Sequence, residues 1–101
     1  MTLAEDLTKV TKTIASLNQK ILQSEIGNMQ KANDLRDQRD NMIRELSSHM
    51  DINYYEDGDG MITIRGPGEA LLVDRVGAAE ISIKRNPENQ GMYDIMVTDF
   101  P

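Results

Sequence analysis

Apolar residues recur at alternating steps of four and three over the first part of the chain. They stand at Leu3, Leu7, Val10, Ile14, Leu17 and Ile21. This heptad spacing predicts an α-helix over about residues 3–26, with a narrow apolar stripe that suits one or two partner helices better than a globular core. No glycine or proline precedes Gly27, so nothing in the sequence interrupts this helix.

A second helix is predicted at about residues 34–50, after a turn at Gly27 and a connector of residues 29–32. Asn33 or Asp34 can cap its N-terminus, and Asp37 adds negative charge to the first turn, where the helix dipole favours it. Because the connector is short, the two helices should lie antiparallel to each other.

The second helix has an apolar face of its own, formed by Leu35, Met42, Ile43, Leu46 and Met50. Arg39 occupies a position on the same face. We expect its methylene groups to be buried and its charged head to reach solvent, because long cationic side chains commonly cover apolar surface in this way.

The apolar period changes to two after Met50. Five sets of alternating apolar residues follow, at Ile52/Tyr54, Ile62/Ile64, Leu71/Val73, Ile81/Ile83 and Tyr93/Ile95/Val97. Turn residues separate them, which predicts a small antiparallel sheet of four or five strands over residues 52–98, covered by the end of the second helix. The predicted class is therefore α+β: a coiled-coil-like helical hairpin in residues 1–50 and a β-hairpin subdomain in residues 51–101.

Charge and composition narrow the function classes. The chain of 101 residues has a net charge of −6 and an isoelectric point of about 4.6, which argues against electrostatic binding to nucleic acid or to an anionic membrane. No stretch has the roughly 18 apolar residues of a membrane span. With no cysteine and a single histidine, His49, the sequence offers no familiar zinc site, and we predict no metal and no cofactor.

The run of charges in the second helix has a catalytic and a structural interpretation. Asp37, Arg39 and Asp40 could be read as an acid–base cluster. Arg36 with Asp40, and Asp40 with Arg44, are also spaced as ordinary ion pairs on one helix face, each worth about 0.2–0.5 kcal/mol. Because no nucleophile and base can be assembled with any specificity, the structural interpretation is favoured and the protein is not expected to be an enzyme.

The DGDG run at residues 57–60 suggests a calcium loop at first sight. An EF-hand needs a carboxylate at its first position and a bidentate Glu at its twelfth, but aligning Gly60 with the invariant glycine places Tyr55 and Gly66 there. Asp-Gly pairs are also a strong hairpin-turn signal. The run is therefore predicted to be a turn.

Residues 14–21 read IASLNQKI and residues 33–40 read NDLRDQRD. This arrangement resembles the flagellar hook-associated protein 1 family, the hook–filament junction protein of bacteria, in which the pattern is roughly I-A-x-L-N-x-x-I, a short loop, N-D-L-x-D-Q-R-D, a helix and strands. The likeness extends from about Thr11 to Val73. The matching positions are Leu17, Asn18, Ile21, Asn33, Asp34, Leu35, Asp37, Gln38, Arg39 and Asp40.

The resemblance implies a structural, non-catalytic role outside the cell, after export by the flagellar secretion apparatus. The implied partners are the hook protein, a second junction protein, copies of the protein itself and a flagellar export chaperone. The chain lacks the terminal polymerising segments of that family, so we expect it to be a middle fragment. A free-standing coiled-coil adaptor or an export-chaperone-like interaction protein is the alternative.

The unequal lengths of the two helices lead to one further expectation. A shorter second helix should leave Leu3, Leu7 and Val10 without an intramolecular partner. Burying such side chains is worth about 1.5–3 kcal/mol each, so self-association through Leu3, Leu7, Val10 and Ile14 is expected.

Overall fold

A computed structural model describes residues 3–26, 32–75, 77–85 and 93–98. The predicted α+β class is confirmed, with two helices followed by short antiparallel strands. The turn predicted at Gly27 and residues 29–31 of the connector lie outside the described residues. The elements are α1 (Leu3–Glu25), α2 (Asn33–Ser47), β1 (Asn53–Glu56), β2 (Ile62–Arg65), β3 (Leu71–Val73), β4 (Glu80–Arg85) and β5 (Tyr93–Thr98), with a short 3-10 helix at Pro67–Glu69 between β2 and β3.

The N-terminus of α2 is capped by α1 and not by its own side chains. The N-cap residue is Ala32, and no side chain of the cap makes the usual hydrogen bond, so the predicted caps Asn33 and Asp34 are wrong. Instead, the Ala32 N–H donates to Glu25 Oε2 at 2.7 Å. Because the end of α1 already supplies a carboxylate at this point, Asn33 and Asp34 are left exposed.

The strands form two small antiparallel sheets. One has the order β1-β2-β3, with Tyr54 opposite Ile64 and Ile64 opposite Val73, and the other is the β4–β5 hairpin. A hydrogen bond of 2.8 Å from the Ala79 N–H to the Leu72 carbonyl connects the two sheets. Each of the five alternating apolar segments overlaps a strand, but the strands form two sheets and not the single sheet of four or five strands that was predicted.

One apolar core joins the helices to the strands. It contains Leu7, Val10, Ile14, Ile43, Leu46, Met50, Ile62, Ile64, Leu72, Val73 and Ile81. The second helix ends at Ser47 and not at about residue 50 as predicted, and Leu46 within it and Met50 after it belong to the core. Much of the cover over the strands comes from α1, which contacts β3 and β4.

The uncovered stripe predicted on α1 is absent from the structure. Leu7 is 1% exposed and Val10 is 7% exposed, and only Leu3, at 46%, lies substantially open. The prediction was wrong because it allowed only α2 as a partner for α1, whereas the chain after β3 returns along α1 and places Ile81 in the same core. The expected self-association loses its physical basis.

Threonine side chains of α1 form hydrogen bonds with the backbone at the start of β4. The hydroxyl of Thr8 donates to the Ile81 carbonyl at 3.1 Å and accepts from the Ile81 N–H at 2.9 Å. Thr11, which is fully buried, donates to the Ala79 carbonyl at 3.1 Å. The threonine hydroxyls thus satisfy the Ala79 carbonyl and the Ile81 carbonyl and N–H, which face α1 and not a neighbouring strand.

Strand β1 differs from its predicted role. All four of its residues are exposed, including Tyr54 at 56%, although Tyr54 was assigned to the apolar face. Tyr54 does lie opposite Ile64, on the side of the sheet that faces the core. It lies on the edge strand of its sheet, which α2 contacts at Glu56, two residues further on.

Candidate functional site

Arg39 is buried between the helices and the first hairpin, with only 1% of its surface exposed. Its Nη1 donates to Asn18 Oδ1 at 2.9 Å and to the Gly60 carbonyl at 2.6 Å, and its Nη2 donates to Glu56 Oε1 at 3.0 Å. The expectation that its head reaches solvent is therefore wrong. The guanidinium stays inside because acceptors from α1, β1 and the β1–β2 turn converge on it.

Asn18 connects α1 to the start of β2. It is completely buried, its Nδ2 donates to the Ile62 carbonyl at 2.9 Å, and its Oδ1 accepts from the Ile62 N–H at 3.1 Å. The side-chain amide thus pairs with Ile62 as a neighbouring strand would. Since the same oxygen also accepts from Arg39, Asn18 holds both the hairpin and α2.

Arg36 adds a second guanidinium one helical turn away. Its Nε and Nη2 bind the two oxygens of Glu25 at 2.7 and 2.8 Å, and its Nη1 binds Glu56 Oε1 at 2.8 Å. We call Asn18, Glu25, Arg36, Arg39, Glu56 and the Gly60 carbonyl the Arg39 network. Because Glu25 meets Arg36 while the earlier Asn18 meets the later Arg39, the two helices run antiparallel, as predicted.

The two arginines of this network have opposite pKa shifts. The hydrogen bonds that Arg36 donates to Glu25, aided by Glu56, raise the pKa of Arg36 despite its partial burial. Burial lowers the pKa of Arg39, and the attraction of Glu56 offsets only part of that effect. A guanidinium titrates so far above neutrality that both side chains stay charged, so the network remains a set of charge-assisted hydrogen bonds.

The backbone conformation and the surroundings at position 60 both favour glycine. Gly60 has a φ of +83°, which side-chain-bearing residues rarely adopt, and a Cβ there would lie 2.7 Å from Arg36 Nη2. Gly58 in the same turn has nothing within 4 Å of its Cβ position. Thus Gly60 is constrained by its backbone and by the guanidinium beside it, whereas Gly58 is not.

The predicted turn at residues 57–60 is present, and its carboxylates are occupied. Asp57 Oδ1 accepts from the N–H groups of Asp59 and Met61 at 2.9 and 3.2 Å. Arg75 donates to Asp57 Oδ2 at 2.6 Å and lies 2.9 Å from Asp59 Oδ2. Burial tends to raise the pKa of Asp57, but these hydrogen bonds outweigh it and lower the pKa. In the described part of the chain, no group of three or more potential ligands could hold a metal ion.

The remaining predicted positions fall into two sets. Leu17 and Ile21 are buried in α1, and Leu35 is half-buried in α2. Asp37 and Asp40 are exposed, so they do not join an acid–base cluster with Arg39. Their roles in the protein stay predictions.

Sequence reasoning missed several members of the Arg39 network. Arg36 was predicted to pair with Asp40 on its own helix, but its guanidinium pairs with Glu25 and Glu56. The available signal was an arginine on the apolar face of one helix, at Arg39, combined with an asparagine beside the apolar stripe of the other, at Asn18. No pattern in the sequence indicated that Glu56 and the Gly60 carbonyl would bind Arg39.

The fold and the Arg39 network define a structural module, in which the functional groups bind one another across α1, α2 and the first hairpin. Among the described helices, none combines the length and the hydropathy that crossing a membrane requires. The family model described as the flagellar hook-associated protein FlgK helical domain matches residues 2–99, and the chain belongs to this family. Neither the curated proteins nor the solved structures gave a significant match.

Family membership confirms the resemblance seen in residues 14–21 and 33–40, and the match continues past Val73 to the last strand. The family is a structural part of the bacterial flagellum. The chain is accordingly a hook-associated structural component, and its partners are other axial components of the flagellum.

Proposed function

We propose that the chain forms part of the junction between the flagellar hook and the filament, where it bears load and catalyses no reaction. The observation that carries this proposal is the family match over residues 2–99. In this role the protein is exported by the flagellar secretion apparatus, with a flagellar chaperone as a transient partner, and functions outside the cell. Its lasting neighbours are the hook protein, a second junction protein and further copies of itself.

The Arg39 network supports a load-bearing role. In this proposal residues 1–50 belong to a rod and residues 51–101 form a β-hairpin subdomain beside it. A module that transmits torque must not let these two parts slide past each other. Arg39 and Asn18 oppose such sliding, because their short hydrogen bonds to Gly60 and Ile62 cross from the helices to the hairpin.

In this proposal the outer face of α1 contacts an axial neighbour. An open groove of about 790 Å³ runs along it, bordered by Gln38 of α2 and Glu80 of β4. Lys9, Lys12 and Lys20 line this groove together with Glu5 and Glu80, and Lys12 lies 3.7 Å from Glu80 Oε1, so the groove carries charges of both signs. We therefore expect the neighbour to place acidic side chains opposite Lys9 and Lys20 and no acidic side chain opposite Glu5 or Glu80.

The location can be tested with single cysteines, because the sequence contains none. Gln23 in α1 and Glu45 in α2 are both exposed, so each can be replaced by cysteine in the gene of the native bacterium. Flagella are then isolated, labelled with maleimide-coupled gold and viewed by electron microscopy. The proposal predicts gold at the boundary between hook and filament.

The unsubstituted protein is the control for background labelling of other flagellar proteins. Gold distributed along the whole filament, gold confined to the hook, or no gold above background at either position would contradict the proposal. Labelling of the purified variants shows beforehand that both cysteines react.

A further inference from the structure

The turn between β1 and β2 contains two Asp-Gly dipeptides in succession, Asp57-Gly58 and Asp59-Gly60. In such a pair the glycine has no side chain to shield its backbone nitrogen, which can attack the carboxyl carbon of the preceding aspartate. The two aspartates are only two residues apart, but their carboxylates differ in the number of hydrogen-bond donors that hold them.

Asp57 is held away from this reaction. Three donors bind its carboxylate: the N–H groups of Asp59 and Met61 and the guanidinium of Arg75. These bonds fix the side chain in one orientation. They also favour the ionised carboxylate, which expels an oxygen poorly when it is attacked.

Asp59 is held by a single side chain. Its only described ion pair is with Arg75, at 2.9 Å, and its carboxylate is 58% exposed. Gly60 itself is buried, and its N–H donates to the Asp57 carbonyl at 3.0 Å, so the reacting nitrogen becomes available when local opening of the turn breaks this bond. Arg75 is in turn anchored to α1, because Gln19 donates to its carbonyl at 3.0 Å.

We propose that Asp59 is a site of spontaneous isoaspartate formation, and that the ion pair with Arg75 slows this modification. The Gly60 nitrogen bonds to the Asp59 side-chain carboxyl carbon, and one carboxyl oxygen leaves as water, which closes a succinimide ring. Water then opens the ring at the main-chain carbonyl, so that the chain continues through the side-chain carbon. Water is lost and regained, the mass is unchanged, and no oxidant or cofactor is needed.

The modification has a structural consequence because the next residue belongs to the Arg39 network. An isoaspartate at position 59 adds one carbon to the main chain immediately before Gly60. The Gly60 carbonyl, which lies 2.6 Å from Arg39 Nη1, is then displaced from the buried guanidinium. A modified protein should therefore be less stable than the fresh protein.

The experiment follows isoaspartate in the purified, folded protein during long incubation at neutral pH. Trypsin releases both aspartates in one peptide between Arg44 and Arg65, and electron-transfer fragmentation locates the isoaspartate within it. We expect isoaspartate to accumulate at Asp59 and not at Asp57. In Arg75→Ala the fraction at Asp59 should rise, whereas Lys20→Ala, which removes an exposed cation outside the turn and leaves the same tryptic peptide, should behave as wild type.

Two further measurements keep the proposal open to refutation. Gly58→Ala suppresses any reaction at Asp57 without a clash and should leave the isoaspartate signal in place. The chain in denaturant should react at both aspartates, because the hydrogen bonds that protect Asp57 are gone. Equal modification of both residues in the folded protein, or no effect of Arg75→Ala on Asp59, would overturn the proposal. The predicted loss of stability would be refuted if the protein that contains isoaspartate melted at the same temperature as fresh protein.

Discussion

Replacing Arg39 with alanine perturbs the site where the helices and the hairpin meet. The change removes three hydrogen bonds and leaves the Gly60 carbonyl buried without a donor, since Arg39 Nη1 lies 2.6 Å from it. An orphaned buried acceptor costs about 1–3 kcal/mol, and deleting a large buried side chain leaves a cavity that costs about 2–5 kcal/mol.

Two terms reduce this loss. The protein no longer has to bury a guanidinium, and Arg39 Nε, which has no hydrogen-bond partner among the described residues, disappears with it. Glu56 also keeps its ion pair with Arg36 at 2.8 Å. The net loss should be on the order of 3 kcal/mol, at the lower end of what breaking a buried ion pair costs. This is a large share of the roughly 5–15 kcal/mol that stabilises a typical domain.

The assay is chemical denaturation followed by circular dichroism, with Arg44→Ala as the matched control. Arg44 lies on the same helix but is exposed, so its loss should cost less than about 1 kcal/mol. Arg39→Lys should fall in between, because a single ammonium cannot reach all three acceptors at once. If Arg39→Ala and Arg44→Ala differ by less than about 1 kcal/mol, the reasoning about the network is refuted.

Three other substitutions test separate contacts. Gly60→Ala should lower the melting temperature while Gly58→Ala leaves it nearly unchanged, because only the former forces a side chain into a positive φ; similar melting curves would contradict this. Thr8→Val should cost about 1–3 kcal/mol and speed amide exchange at Ile81, which loses both of its bonds to the hydroxyl; unaltered exchange would count against that contact. The pKa of Asp57 is lowered by folding, so its contribution is present above about pH 4 and is lost as the pH falls further; Asp57→Asn should flatten the acid limb of the stability profile, and an unchanged limb would show that other groups dominate it.

The elements of this fold could be predicted because their periods are clear. The heptad spacing located α1, and the alternation after Met50 located five strands, each within a residue or two of its observed bounds. The partner of each element could not be predicted in the same way. A period identifies an apolar face but not which later segment covers it, so the return of the chain along α1 and the burial of Leu7 were missed.

The Arg39 network shows a second limit of sequence reasoning. Arg39 lies on the apolar face of α2, and its guanidinium was predicted to reach solvent because long cationic side chains on surface helices commonly do so. Its actual environment depends on Asn18, Glu56 and Gly60, which are distant in sequence and converge only in the folded chain. The prediction of the α2 cap was wrong for the same reason, since Glu25 at the end of α1 accepts the hydrogen bond from the Ala32 N–H.

A double-mutant cycle between Asn18 and Arg39 tests most directly whether the network joins the helices and the hairpin into one body. The free energy of unfolding is measured for wild type, Asn18→Ala, Arg39→Ala and the double variant. Because Asn18 Oδ1 lies 2.9 Å from Arg39 Nη1 and also binds Ile62, the account predicts that the two losses do not add, with a coupling energy of about 1–3 kcal/mol. Losses that add to within about 0.3–0.5 kcal/mol would mean that the two residues act independently, which would contradict the account.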